Sequence, residues 1–116
     1  ASFELYNITS GCFKESNMTY PRMKHTATYL NTSDFVLVVG GQGFNSHAIA
    51  QTELIWPSGQ QLFKSLSVAR YWHAASNLRD SDVYVFAGHG STNASYVFEV
   101  LRLRNDDLNT HVTNDA

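Results

Sequence analysis

A single cysteine stands in this 116-residue chain, so no disulfide can close within it, and Cys12 is left either to pair with another chain or to be buried as a thiol. Charge of one sign is equally scarce. The formal net charge is only -2 and the eight Lys and Arg residues are scattered, which excludes the basic stripe that a phosphate backbone demands and makes nucleic acid an unsuitable partner. Long apolar runs are missing too. The longest, Phe35 to Val39, falls far short of the roughly 20 residues of a membrane-spanning helix, so no membrane insertion is expected. Three-turn stretches of 3.6-residue period are absent, which argues against a helical domain. The five histidines show no His-x-x-x-His spacing and there is no Cys-x-x-Cys pair, so no metal site and no cofactor is expected. Gly40-Gly41-Gln42-Gly43 lacks the Lys and the helix start of a phosphate loop, and no Gly-x-Ser-x-Gly elbow presents a nucleophile.

What the chain does contain is an internal echo. Arg22-Met23-Lys24-His25-Thr26-Ala27 returns 48 residues later as Arg70-Tyr71-Trp72-His73-Ala74-Ala75. Each copy leads through a polar turn into an apolar run that ends at glycine, Phe35 to Gly41 in the first and Val83 to Gly88 in the second. Repetition at this period marks a supersecondary unit that buries its apolar faces against its neighbours. A weaker echo extends backwards. Glu4-Leu5-Tyr6, Gly11 and Phe13 precede the first copy much as Glu53-Leu54-Ile55, Gly59 and Phe63 precede the second.

With 43% hydrophobic and 13% aromatic residues, the composition suits a packed core. Short segments rich in β-branched and aromatic residues predict strands at His25–Leu30, Phe35–Val39, Thr52–Trp56, Leu62–Leu66, His73–Leu78, Val83–Ala87 and Tyr96–Leu103. Turn chemistry separates them at 31–34, 40–45, 57–59 and 79–82. Residues 105–116 are polar and acidic and read as a weakly ordered tail.

Four Asn-x-Ser/Thr sequons, at Asn7, Asn17, Asn31 and Asn93, exceed the one or two that this Asn, Ser and Thr content would give by chance, roughly reckoned for a short motif. Each falls in or beside a turn, where a glycan disturbs no core. This predicts a secreted, extracellular chain with N-linked glycans. A start at Ala1 with no Met fits a processed chain or an excised fragment.

The Arg-x-x-His-x-Ala strand, the hydrophobic strand ending in Gly40-Gly41, the third strand with Glu53 and the aromatic-bearing fourth resemble the kelch repeat. The resemblance covers about residues 3 to 101, with Ala87-Gly88 departing from the double glycine in the second copy. It implies an all-β fold of four-stranded antiparallel β-propeller blades, and protein–protein interaction as the function. The segments are then 1–17, a partial blade of third and fourth strands; 18–66, one repeat; 67–104, a second; and the tail, 105–116. Propellers close with about four to eight blades, so this chain is incomplete by itself. It is expected to be stable only when strands from more chain, or from another chain, cover its open edges.

Arg22, His25, Gly40, Gly41, Glu53, Arg70, His73 and Gly88 are then structural residues of the repeat, with the two arginines neutralised by carboxylates such as Glu4, Glu53 or Glu99, because an unpaired buried charge is costly. Trp56, Tyr71, Trp72 and Tyr96 are the aromatic anchors available to a partner wherever they are exposed, and loops 42–50 and 89–94 are the candidate binding loops. The favoured function is a non-catalytic, secreted interaction module whose partners are other protein chains. A structural subunit joining copies of itself by strand exchange into a fibre or ring is the alternative. A fragment of a larger propeller is the second alternative, including one with the copper oxidase centre that some kelch-related propellers carry.

Overall fold

Segments rich in β-branched and aromatic residues, separated by closely spaced turn residues, favour short strands. In the computed structural model, which describes residues 2–30, 34–79, 82–90 and 98–103, the fold is all-β with antiparallel pairing throughout. Strands β1 (Ser2–Asn7) and β2 (Cys12–Asn17) form a hairpin with Ser2 opposite Asn17 and Asn7 opposite Cys12. Its turn is built by the Asn7 side chain, whose Oδ1 accepts from the Thr9 and Ser10 amides at 2.9 and 3.1 Å. The hairpin pairs with neither larger sheet, and Gln60 ties it to the next unit by donating to the Asn17 carbonyl at 2.6 Å.

Strands β3 (Thr26–Leu30), β4 (Phe35–Val39), β5 (Thr52–Trp56) and β6 (Gly59–Leu62) make a four-stranded meander in sequence order. A single 3-10 turn, Phe44–Ser46, lies in the long connection between β4 and β5. Next come β7 (Arg70–Tyr71), β8 (Ala74–Arg79), β9 (Asp82–Phe86), β10 (His89–Gly90) and β11 (Glu99–Arg102). Of these, β8, β9 and β11 form a three-stranded sheet with β9 in the centre, and β7 pairs with β10. The fourth strand expected at Leu62–Leu66 begins earlier, because Trp56 and Gly59 close a tight turn directly after β5. Residues beyond Leu62 still follow β5: the Phe63 amide donates to Thr52 O at 3.0 Å and Leu66 to Ala50 O at 2.8 Å. Asn31, Asn93, Tyr96 and the tail 105–116 lie outside the described residues.

The two sheets pack face to face. Cross-strand partners share a face, so Leu37, Val39 and Leu54 project together from the first sheet, and Val83, Val85 and Leu101 from the second. All six belong to one buried cluster with Leu30, Leu66 and Leu103. The opposite face of the second sheet carries Tyr84, Phe86 and Val100, which occupy the ladder positions of Leu37, Val39 and Leu54. Exposure distinguishes them: Leu54 and Val39 are 0% exposed, whereas Phe86 and Val100 are 43% and 37% exposed.

Gly40 shows how close the sheets come. Its φ is +65°, and a Cβ there would lie 2.6 Å from the Arg70 carbonyl and 2.7 Å from Cε1 of His73. Gly41 and Gly88 have φ of +110° and +94° and are crowded by backbone in the same way. At the position of Gly40, the second sheet has Ala87, a left-handed residue with a side chain, φ +66°. Glycine enters such conformations freely, whereas any L side chain costs roughly 1–2 kcal/mol. Gly40→Ala is therefore expected to lower unfolding free energy by about 2–4 kcal/mol, combining backbone strain with collision. Ala87→Gly, with strain relieved against a more flexible unfolded chain, should leave stability unchanged or raise it by up to about 1 kcal/mol. Urea unfolding of the two variants, followed by tryptophan fluorescence, checks the contrast.

Candidate functional site

Arg22 and Arg70 precede the first strand of their sheets by a few residues, which turns each side chain inward below the Gly40 and Ala87 turns. Both are buried, and each meets a carboxylate from the third strand of its own sheet. Arg22 Nη2 lies 3.0 Å from Glu53 Oε2, and Arg70 Nη2 lies 3.1 Å from Glu99 Oε2. The rest of each guanidinium is satisfied by carbonyls. Arg22 Nε donates to Tyr20 O at 3.2 Å, and its Nη1 to Gly40 O at 2.7 Å and Gln51 O at 2.9 Å. Arg70 Nε donates to Val68 O at 3.3 Å and its Nη1 to Ala87 O at 3.2 Å. The carboxylates are used twice, since Glu53 also accepts from the Thr19 and Tyr20 amides at 2.9 and 3.0 Å, and Glu99 from Ser67 and Val68 at 2.7 and 3.1 Å. Burial pulls Arg22 below its usual pKa, with Glu53 pulling the other way.

Of the three carboxylates expected to neutralise the arginines, Glu53 and Glu99 do so, whereas Glu4 is exposed on β1 opposite Glu15. Glu53 lies 12 positions after Gly41 and Glu99 lies 11 after Gly88, so the connection into the third strand is one residue shorter in the second copy.

The histidines at equivalent positions have different surroundings. His73 is buried between the sheets, its Nε2 2.9 Å from Thr26 Oγ1 and its Nδ1 without a hydrogen bond among the described residues. Burial, the nearby Arg70 cation and His25 push His73 down to about 4, opposed only weakly by the Val39 backbone. His25 is more exposed and is lowered by burial and by Arg22. His47 is exposed, and His89 is exposed against Tyr71 and Trp72, with ring centroids 5.9 and 5.8 Å away. Among the described residues, no group of His, Cys, Asp or Glu is arranged to hold a metal ion. Cys12 is exposed at the start of β2, and neighbouring Phe13 is exposed as well, its ring tilted 43° against that of Tyr6 across the hairpin; this sets aside a buried thiol.

Of the aromatic anchors, Trp56 packs against Phe35 beside the core at 5.1 Å, whereas Trp72 is 61% exposed. Asn7 and Asn17 sit exposed at the two ends of the hairpin strands. No described helix is long and apolar enough to cross a membrane. With this geometry in view, no protein-family model and no curated protein matches the chain.

Two measurements probe the buried charges. Removing one member of a buried ion pair typically costs about 3–5 kcal/mol, and replacing both by apolar residues often restores stability. Here Arg22→Met with Glu53→Met should stay at least about 2 kcal/mol below the parent, because the Thr19 and Tyr20 amides lose their acceptor. Chemical denaturation of the single and double variants measures this.

His73 makes stability depend on pH. Its folded pKa lies below the ordinary value of 6.5, so the unfolded chain binds the extra proton and the neutral ring stabilises the fold above that pH. The contribution falls as pH drops from about 6.5 and is gone below about 4, a loss on the order of 3 kcal/mol. Melting temperatures of parent and His73→Gln between pH 7 and 4 should converge as the pH falls, while the carboxylate contributions common to both cancel.

Proposed function

We propose that this chain is a secreted, N-glycosylated, non-catalytic module of kelch type that binds other proteins. The observation that carries this reading is the duplicated guanidinium cage. Arg22 with Glu53 and Arg70 with Glu99 use the same donor and acceptor atoms in the same order, each preceding the first strand of an antiparallel sheet whose second strand ends in left-handed backbone. Charges held this way are structural: each guanidinium is enclosed by backbone carbonyls and its own carboxylate rather than presented to a substrate. His73, whose pKa burial lowers to about 4, is likewise enclosed in the seam between sheets. What reaches solvent instead are large apolar side chains, Met23, Phe44 and Trp72 among them, the kind that dominate protein interfaces. The four sequons, two of them exposed in the hairpin, support an extracellular setting.

A second reading, self-association through strands, is favoured by one specific feature. The outer edge of β11 has no strand partner among the described residues, and the β1–β2 hairpin belongs to no larger sheet, although isolated hairpins are marginal in water. Denaturing and native mass spectrometry of the protein from its source separates the two. An N-glycosylated stretch within one longer polypeptide is the expected result for the interaction module. A native mass at multiples of this chain would favour strand exchange, and absence of glycans would overturn the secreted setting.

A further inference from the structure

We propose that Lys24, Tyr71, Trp72 and His89 form the partner-binding surface of the module, and that it takes a protein segment carrying a carboxylate next to an aromatic or apolar side chain. This rests on the interaction-module reading and names its site.

Lys24 and Trp72 hold the same place in the two Arg-x-x-His segments, and both are left-handed, with φ of +60° and +55°. The turn requires that conformation; it does not require a lysine and a tryptophan, since Gly or Asn would enter it with less strain. A bulky residue retained in such a backbone points to a use for its side chain. The Trp72 amide donates to Lys24 O at 3.0 Å, which sets the two turns side by side. Lys24 Nζ then lies 4.2 Å from the Trp72 ring centroid and 5.5 Å from that of Tyr71. Tyr71 and Trp72 are 6.0 Å apart, and His89 approaches both. The result is an ordered, solvent-facing group of three rings and one ammonium.

Charge selects the partner. Lys24 has no carboxylate partner among the described residues, whereas Arg22, Arg70 and Arg102 are each paired. The described carboxylates belong elsewhere: Glu53 and Glu99 lie inside the cages, Asp34 and Asp82 at the turns leading into β4 and β9, and Glu4 and Glu15 on the hairpin. Because β3 and β8 start at the Lys24 and Trp72 end and run to those turns, the aspartates occupy the opposite end of each sheet. One end is therefore basic and aromatic. A carboxylate can replace water on the ammonium while the adjoining apolar group covers ring surface, and a desolvated cation over indole strengthens both contacts. A neutral sugar would gain nothing from the ammonium's charge, which a carboxylate-bearing segment uses.

The test is titration of the intact protein, in the chain length and assembly in which it occurs, with acetyl-Glu-Asp-Phe-Glu-amide, followed in its amide and indole NMR spectrum. The Trp72 indole N–H and the Lys24 and His89 amides should shift with a saturable curve that weakens as salt rises. Acetyl-Gln-Asn-Phe-Gln-amide and lactose should not move them. Lys24→Gln and Trp72→Asn should each weaken binding at least tenfold, and Lys24→Arg should restore most of it. Trp72→Asn suits the left-handed backbone, so it should melt no lower than the parent; a sharp fall would make Trp72 a structural residue and overturn the assignment. Equal response to the neutral peptide, response to lactose alone, or no shift at the cluster at millimolar peptide would also overturn it. Saturable peptide shifts confined to loop 42–50 or the hairpin would sink this site and leave the interaction-module reading standing, whereas a native mass in multiples of the chain bears on that reading alone.

Discussion

A guanidinium out of water must find an acceptor for each of its N–H groups, and this requirement organises both halves of the chain. Arg22 collects carbonyls from residues 20, 40 and 51 and a carboxylate from residue 53, so one side chain fixes the entry to β3, the end of β4 and the start of β5 at once. Glu53 in turn pins the backbone at Thr19 and Tyr20. A sheet of this size has too few apolar residues to determine the path of every connection. A charge that tolerates only one arrangement of its neighbours supplies what apolar burial, being non-directional, cannot.

The seam between the sheets follows from the same fixed points. With the Gly40 carbonyl held by Arg22, the turn at Gly40-Gly41 presents bare backbone to the following Arg-x-x-His segment. Gly41 then donates to the Arg70 carbonyl at 2.8 Å, and the His73 ring occupies the space that a Cβ on Gly40 would fill. The ring enters neutral and stays so across the physiological range, because Arg70 stands close by and burial penalises its charged form. The apolar cluster seals the rest. A buried arginine therefore sits at the root of a chain of contacts that ends with one sheet seated on the other.

Much of this could be read from residue order. The Arg-x-x-His echo, the runs ending in glycine and the β-branched and aromatic segments place β3, β4, β5 and β9 within a residue or so, and the antiparallel pairing is what the kelch resemblance implied. The pairing of Arg22 with Glu53 was also within reach, since a buried charge asks for its opposite. Two features were hidden. β6 starts at Gly59 because a tight turn follows Trp56, and a polar Gly-Gln-Gln segment carries little strand signal of its own. The aromatic cluster could not be foreseen, since the contact of Lys24 with Trp72 depends on a sheet-to-sheet registry that brings together residues 48 positions apart.

The outward face of the second sheet carries the same geometry one step further. If another unit sat on Tyr84, Phe86 and Val100 as the second sheet sits on Leu37, Val39 and Leu54, its histidine ring and arginine carbonyl would approach residue 87 as His73 and Arg70 approach Gly40. Residue 87 is alanine, and a Cβ at the equivalent point stands 2.6 Å from that carbonyl and 2.7 Å from that ring. Tyr84 and Phe86 are also larger than the Leu37 and Val39 that they replace, and Phe98 stacks on Tyr84 at 6.3 Å, thickening the layer. All three differences push in one direction, toward a neighbour held farther off. The seam inside this chain is thus not a template that can be copied unchanged onto its outer face, and whatever covers that face must do so with a wider, more aromatic contact than the one joining the two sheets.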